Sequence, residues 1–112
     1  MVVQYGEFPL PMSYDDSELD SMIEEFISEK KKTEGCFSYR DICLYLFRTA
    51  FNAGRLKKEE DTIYNNPTMT DYDAERVSKL LWCRIWDKKI FINFNEDQYG
   101  AHYPNDVRFS II

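Results

Sequence analysis

The chain has 112 residues with a formal net charge of −6 at pH 7, and 44% of its residues are hydrophobic. This length suits one domain with a single core, and four glycines and four prolines are too few for a fibrous or disordered chain. No run of about 18 apolar residues occurs, which argues against a transmembrane helix, and the start of the chain lacks the basic and apolar regions of a signal peptide.

Residues 1–12 are predicted to form an N-terminal arm that precedes a single domain over residues 13–112. β-Prone residues near the start could add a short strand, but Pro9 and Pro11 interrupt regular structure. The arm is expected to pack on the surface of the domain. An arm that binds a partner, or that exchanges between the subunits of a dimer, is the alternative.

The first helix is predicted over residues 13–33. Acidic residues crowd its first turns and lysines fill its last turn, as the helix dipole favours, and Gly35 ends it. Its core face has apolar residues at helical spacing. These are Leu19, Met22, Ile23, Phe26 and Ile27.

A capping signal begins the second helix. Ser38 is a natural N-cap with Asp41 three residues later, and Phe37 and Ile42 are placed for a hydrophobic staple. The helix is expected to run to about Ala53, where Gly54 ends it, and to be largely buried, because its apolar residues cover most of its circumference.

Residues 55–69 are predicted to be an irregular link, with a helical turn at residues 57–61 and a loop at residues 65–68. The third helix begins at Thr70. It buries a stripe that includes Val77 and Leu81.

A C-terminal antiparallel hairpin is predicted from two alternating segments, residues 90–94 and 107–111, joined by a polar loop over residues 95–106. The third helix leads almost directly into the first of these strands. The fold class is therefore α+β, with three helices and the hairpin, and the other elements are expected to cover this helix–strand unit.

Two tryptophans of the third helix lie beside its apolar stripe. Trp82 and Trp86 are four residues apart and share one face. The edge of the core, where they would pack between helices, is the first interpretation. An interface hot spot is the second.

The order of the elements resembles that of a winged helix-turn-helix domain: helix, short extended segment, helix, helix, strand, long loop, strand. The resemblance covers roughly residues 17–112 and rests on this order. It implies that the third helix could enter the DNA major groove while the loop over residues 95–106 touches phosphates. Both elements are acidic here, which opposes phosphate binding. The acids are Asp71, Asp73, Glu75, Glu96, Asp97 and Asp106.

Charge alternates along the chain. The first 29 residues hold eight acids and no base, and basic and acidic segments then follow one another. This pattern predicts acidic and basic segments that lie against one another, not a uniformly basic nucleic-acid surface.

No residue pattern indicates catalysis or a cofactor. The single histidine, His102, lies in a loop between aromatic residues, and no nucleophile elbow, phosphate loop or common metal motif occurs. The three cysteines could hold zinc with His102 in principle, but their spacing fits no common site. Their odd number predicts buried free thiols and a reducing, cytoplasmic location.

The sequence therefore favours a non-catalytic regulatory or protein-interaction module whose partner is another protein. A homodimer is left open. The candidate contact residues are Asp15, Asp16, Glu18, Glu24, Glu25, Trp82 and Trp86. One alternative is a DNA-binding transcriptional regulator that uses Arg40, Arg48, Lys57, Lys58, Arg76 and Lys79. Another is an acidic inhibitor of a nucleic-acid enzyme, for instance one encoded by a phage.

Overall fold

The computed structural model describes residues 1–93 and 107–112. Within these residues the chain forms an α+β fold of three helices and five strands in two sheets. The predicted α+β class and the three predicted helices are confirmed. In chain order the elements are β1 (Val2–Pro9), α1 (Asp16–Lys32), β2 (Cys36–Ser38), α2 (Tyr39–Asn52), β3 (Thr62–Thr68), α3 (Asp71–Trp86), β4 (Ile90–Ile92) and β5 (Arg108–Ile111).

The helices begin where the sequence supplies caps. Asp15 caps α1 and forms a capping box with Glu18, and Ser38 and Asp41 form the predicted box at α2. Thr70 caps α3. Each cap satisfies a backbone N–H of the first turn that has no partner within the helix.

The core lies between the three helices and the three-stranded sheet. Phe37 of β2 is at its centre, edge-on to Phe26 of α1 and stacked on Phe109 of β5, with ring centroids 5.4 and 5.3 Å away. Its other fully buried side chains come from every helix and from β4. The largest apolar ones are Leu19, Ile23, Ile42, Leu46, Val77, Leu81 and Ile90.

The three-stranded sheet has the order β2-β5-β4, and β5 is antiparallel to both neighbours. The two C-terminal strands do pair, with Ile90 opposite Ile111. The predicted hairpin is nevertheless not the whole sheet, because β2, which precedes the second helix, forms its other edge. The predicted loop over residues 95–106, and Phe94 at the predicted end of its strand, lie outside the described residues.

The second sheet was not predicted. β1 pairs in parallel with β3, from Val2 opposite Thr62 to Pro9 opposite Thr68, with an irregularity between Gln4 and Glu7. The predicted loop at residues 65–68 is therefore wrong. The helical turn predicted at residues 57–61 is also wrong, because residues 57–59 have no regular structure and only residues 60 and 61 form a turn. Proline is tolerated in both strands because each is an edge of this two-stranded sheet. The N-terminal arm thus pairs with the link between α2 and α3.

Candidate functional site

The outward face of α3 carries a row of exposed side chains. Trp82 is 58% and Trp86 85% exposed, and Tyr72, which lies ten residues before Trp82, is 70% exposed. Glu75 and Lys79 lie between these aromatics and are also exposed. At 100° per residue these five residues occupy one side of the helix, opposite the buried Val77 and Leu81. We call this row the α3 stripe.

The α3 stripe corrects one expectation. Packing of both tryptophans at the edge of the core was the first interpretation, but more than half of each side chain is exposed. Val77 and Leu81 face the core, and because an α-helix has 3.6 residues per turn, Trp82 and Trp86 then lie on the opposite, outward side of α3.

An apolar groove of about 220 Å³ runs between α3 and the three-stranded sheet, and Trp82 forms part of its wall. Tyr39 also lines it. The Tyr39 hydroxyl donates a 2.6 Å hydrogen bond to the Ala74 carbonyl and accepts one of 3.0 Å from Ser78. Burial raises the pKa of Tyr39 to about 12, against a smaller opposing effect of the Ser78 hydrogen bond. These bonds tie the start of α2 to α3 and fix the groove wall.

Arg76 joins α3 to the start of α1. Its guanidinium donates to Asp16 Oδ1 at 2.9 Å, to Asp73 Oδ1 at 2.9 Å and to the Tyr14 carbonyl at 2.6 Å. Burial lowers the pKa of Arg76, but the hydrogen bonds and charges of Asp16 and Asp73 outweigh it and raise the pKa above its ordinary value. The Arg76 guanidinium is therefore already bound to partners within its own chain.

Two more arginines pair with α1. The buried Arg84 donates to Asp20 Oδ1 at 2.6 Å and to Glu24 Oε2 at 3.0 Å, and Arg55 reaches Glu18 Oε2 at 3.1 Å. The predicted apposition of acidic and basic segments is confirmed by these pairs. These pairs join α1 to α3 and to the start of the link that follows α2.

Most acids of the predicted contact surface are therefore engaged inside the chain. Asp15 caps α1, and Asp16, Glu18 and Glu24 pair with arginines. Glu25 is exposed and forms no ion pair with the residues that the structure describes.

The bases of the DNA-binding alternative lie on three separate segments. Arg40 and Arg48 are exposed on α2, Lys57 and Lys58 are exposed in the link before β3, and Lys79 belongs to the α3 stripe. Arg76, the sixth of these bases, is occupied by its carboxylate partners.

Two charged residues of the α3 core face were missed. Asp73 and Arg84 are buried on the same side of α3 as Val77 and Leu81. In the sequence, Asp73 lies four residues before Val77 and Arg84 three after Leu81, so each places a charge at one end of the apolar stripe. A charged side chain at such a position needs a buried partner, which is the signal that could have identified the two.

No side-chain cluster in the described part of the chain has the make-up of a metal site. A group of three or more His, Cys, Asp or Glu side chains able to hold a metal ion is absent from residues 1–93 and 107–112. His102 lies outside these residues. All three cysteines are free thiols, but Cys83 is exposed and Cys36 and Cys43 are only half-buried, so the prediction that the thiols are buried is wrong.

The thiols are expected to differ in reactivity. Burial raises the pKa of the Cys43 thiol to about 11, against a smaller opposing effect of a hydrogen bond with Tyr39. Since the thiolate is the nucleophile, Cys43 should be alkylated by iodoacetamide at pH 8 about 100-fold more slowly in the folded than in the unfolded protein. Exposed Cys83 should be modified first. Timed alkylation followed by peptide mass spectrometry, with a urea-unfolded control, measures both rates, and equal rates for Cys43 in the two states would contradict this expectation.

None of the helices in the described residues is both long and apolar enough to cross a membrane. The features that distinguish the surface are thus the α3 stripe and the groove beside it. No protein-family model, no curated protein and no solved structure matches the chain.

Proposed function

We propose that the protein is a non-catalytic regulatory or protein-interaction module, cytoplasmic and winged-helix-like, that binds another protein through the α3 stripe. The observation that carries this proposal is the exposure of Trp82 and Trp86 side by side on one helix face. Neighbouring exposed aromatics are costly to keep in water, and tryptophan is the residue most enriched at interface hot spots.

The winged-helix-like description is supported by topology. Apart from β3, which lies between α2 and α3 and pairs with β1, the helices and strands from α1 onward follow the winged-helix order. In the three-stranded sheet β5 lies between β2 and β4, so the strand before α2 joins the two C-terminal strands. In this arrangement α3 is the helix whose outer face is left for a partner.

Contacts within the chain support a protein partner over DNA. Arg76 would have to leave Asp16 and Asp73 before it could reach a phosphate. Glu75 also lies in the α3 stripe, where a phosphate backbone would meet its charge. The acidic-inhibitor alternative is weakened in the same way, because Asp16, Glu18 and Glu24 are already neutralised by arginines.

The proposed contact is tested by affinity capture with the double variant Trp82→Ala/Trp86→Ala. The tagged wild-type protein should retain a partner from a lysate of its source, and the double variant should lose it at least about tenfold. The matched control is Tyr5→Ala/Phe51→Ala, which removes two exposed aromatics from other elements and should leave retention unchanged. Equal retention by the tryptophan variant would contradict the proposal.

A second experiment tests the nucleic-acid alternative. Purified protein is titrated with random-sequence duplex DNA across a salt series, and no binding is expected even at low salt. Binding that weakens steeply as salt rises would show phosphate neutralisation and would favour the DNA-binding regulator.

A further inference from the structure

The α3 stripe has the spacing of a coiled-coil seam. Its residues follow one another at intervals of three, four, three and four, which is the a/d pattern of a heptad. Their order is Tyr72, Glu75, Lys79, Trp82 and Trp86. The helix therefore carries two stripes: one is buried in its own core, and the other is left exposed in the described structure.

The α3 stripe is complementary to itself when it is reversed. Tyr72 and Trp82 lie five residues before and after Val77, and Glu75 and Lys79 lie two residues before and after it. If two α3 helices run antiparallel about a two-fold axis that crosses the stripe level with Val77, Tyr72 of each copy faces Trp82 of the other. Glu75 of each copy then faces Lys79 of the other, so each kind of contact forms twice.

The two charges at the centre are available for such contacts. Neither Glu75 nor Lys79 forms an ion pair with any residue in the ranges 1–93 and 107–112, whereas neighbouring Arg76 is paired with Asp16 and Asp73. A parallel pair of helices would instead place Glu75 against Glu75 and Lys79 against Lys79, which is repulsive. Charge complementarity thus selects the antiparallel arrangement.

We propose that the occupant of the α3 stripe is a second copy of this chain, bound through an antiparallel, two-fold α3–α3 contact. This inference rests on the proposed function and names its partner. Two aromatic pairs flank two ion pairs in the contact. Trp86 is the next residue of the stripe after Trp82. In the antiparallel pair it lies opposite the residues that precede α3 in the other copy.

The proposal is tested by charge reversal combined with sedimentation equilibrium over a concentration series. The wild type should form a dimer of about 27 kDa, twice the 13.4 kDa of one chain. Glu75→Lys alone and Lys79→Glu alone should each raise the dimer dissociation constant at least about tenfold, because each brings like charges together twice. Thermal unfolding of each variant checks that the fold is intact, as expected for exposed positions.

Two combinations of these charge reversals should restore the dimer, and they distinguish the proposed contact from other contacts. An equimolar mixture of the Glu75→Lys and Lys79→Glu proteins should form a heterodimer as tight as the wild type to within about threefold, since every contact is again attractive. The double variant Glu75→Lys/Lys79→Glu should recover the homodimer for the same reason. Trp82→Ala should weaken the dimer by at least about tenfold.

A wild type that stays monomeric would overturn the proposal, and so would a dimer that the charge reversals do not weaken. These results are separable from failure of the proposed function. If the protein is monomeric but captures a different protein through Trp82 and Trp86, only the second-copy inference is contradicted. If the protein is monomeric and the tryptophan substitutions do not change capture, both the proposed function and the second-copy inference are contradicted.

Discussion

Replacing Asp73 with alanine is expected to lower the free energy of unfolding by about 3–5 kcal/mol, the range for removing one member of a buried ion pair. The Asp73 side chain is 1% exposed and contacts both its own helix and the segment between β1 and α1. Its Oδ2 accepts a 2.8 Å hydrogen bond from the Met12 backbone N–H, and its Oδ1 accepts one of 2.9 Å from Arg76. Alanine would leave a buried N–H without an acceptor and would remove the most buried partner of Arg76.

Urea denaturation of the wild type and of two variants measures this effect. Asp73→Asn is the matched control, because its amide oxygen can still accept from Met12 while the charge opposite Arg76 is lost. It should be less destabilising than Asp73→Ala. A loss below about 1 kcal/mol for the alanine variant would mean that the residues around Met12 rearrange to satisfy both groups.

Leu81→Ala is expected to cost about 2–5 kcal/mol of unfolding free energy. Leu81 is 2% exposed in the centre of the core face of α3 and also lines the groove beside the sheet. Truncation removes its packing against the core and enlarges an existing space, and a helix flanked by rigid sheet contacts can close that space only in part.

Leu44→Ala is the matched control for Leu81→Ala. The chemical change is the same, but Leu44 lies on an exposed side of α2. Its loss should stay below about 1 kcal/mol. Chemical denaturation of both variants gives the comparison, and similar losses at the two positions would show that the faces of α3 are wrongly assigned.

The helices were predictable because their signals are local. Ser38 with Asp41, and Thr70 before α3, act on N–H groups within three residues, so the sequence alone specifies those starts. The pairing of β1 with β3 has no such signal. It joins Val2 to Thr62 across most of the chain, and Asn65 to Pro67 read as a loop when that partner is not considered.

The candidate site was predictable in its two tryptophans, but neither Tyr72 nor the exposure of the α3 stripe was foreseen. Trp82 and Trp86 were identified from their spacing, but which side of α3 faces water depends on where α1 and the sheet pack. The ion pairs of Arg84 with Asp20 and Glu24 were foreseen only as a general apposition of charge. Segment charge indicates attraction, whereas the pairing of individual residues depends on the tertiary geometry.

The parallel β1–β3 sheet also constrains the order of events during synthesis. β1 leaves the ribosome before its partner strand, which begins 60 residues later at Thr62 opposite Val2. At usual elongation rates β1 therefore waits roughly 3–12 s for a partner. During that interval α1 and α2 can form from local contacts, while closure of the long intervening loop favours late docking of β1. β1 is thus expected to be among the last of these elements to dock, although it is made before its partner, and until then its unpaired backbone groups are open to other chains.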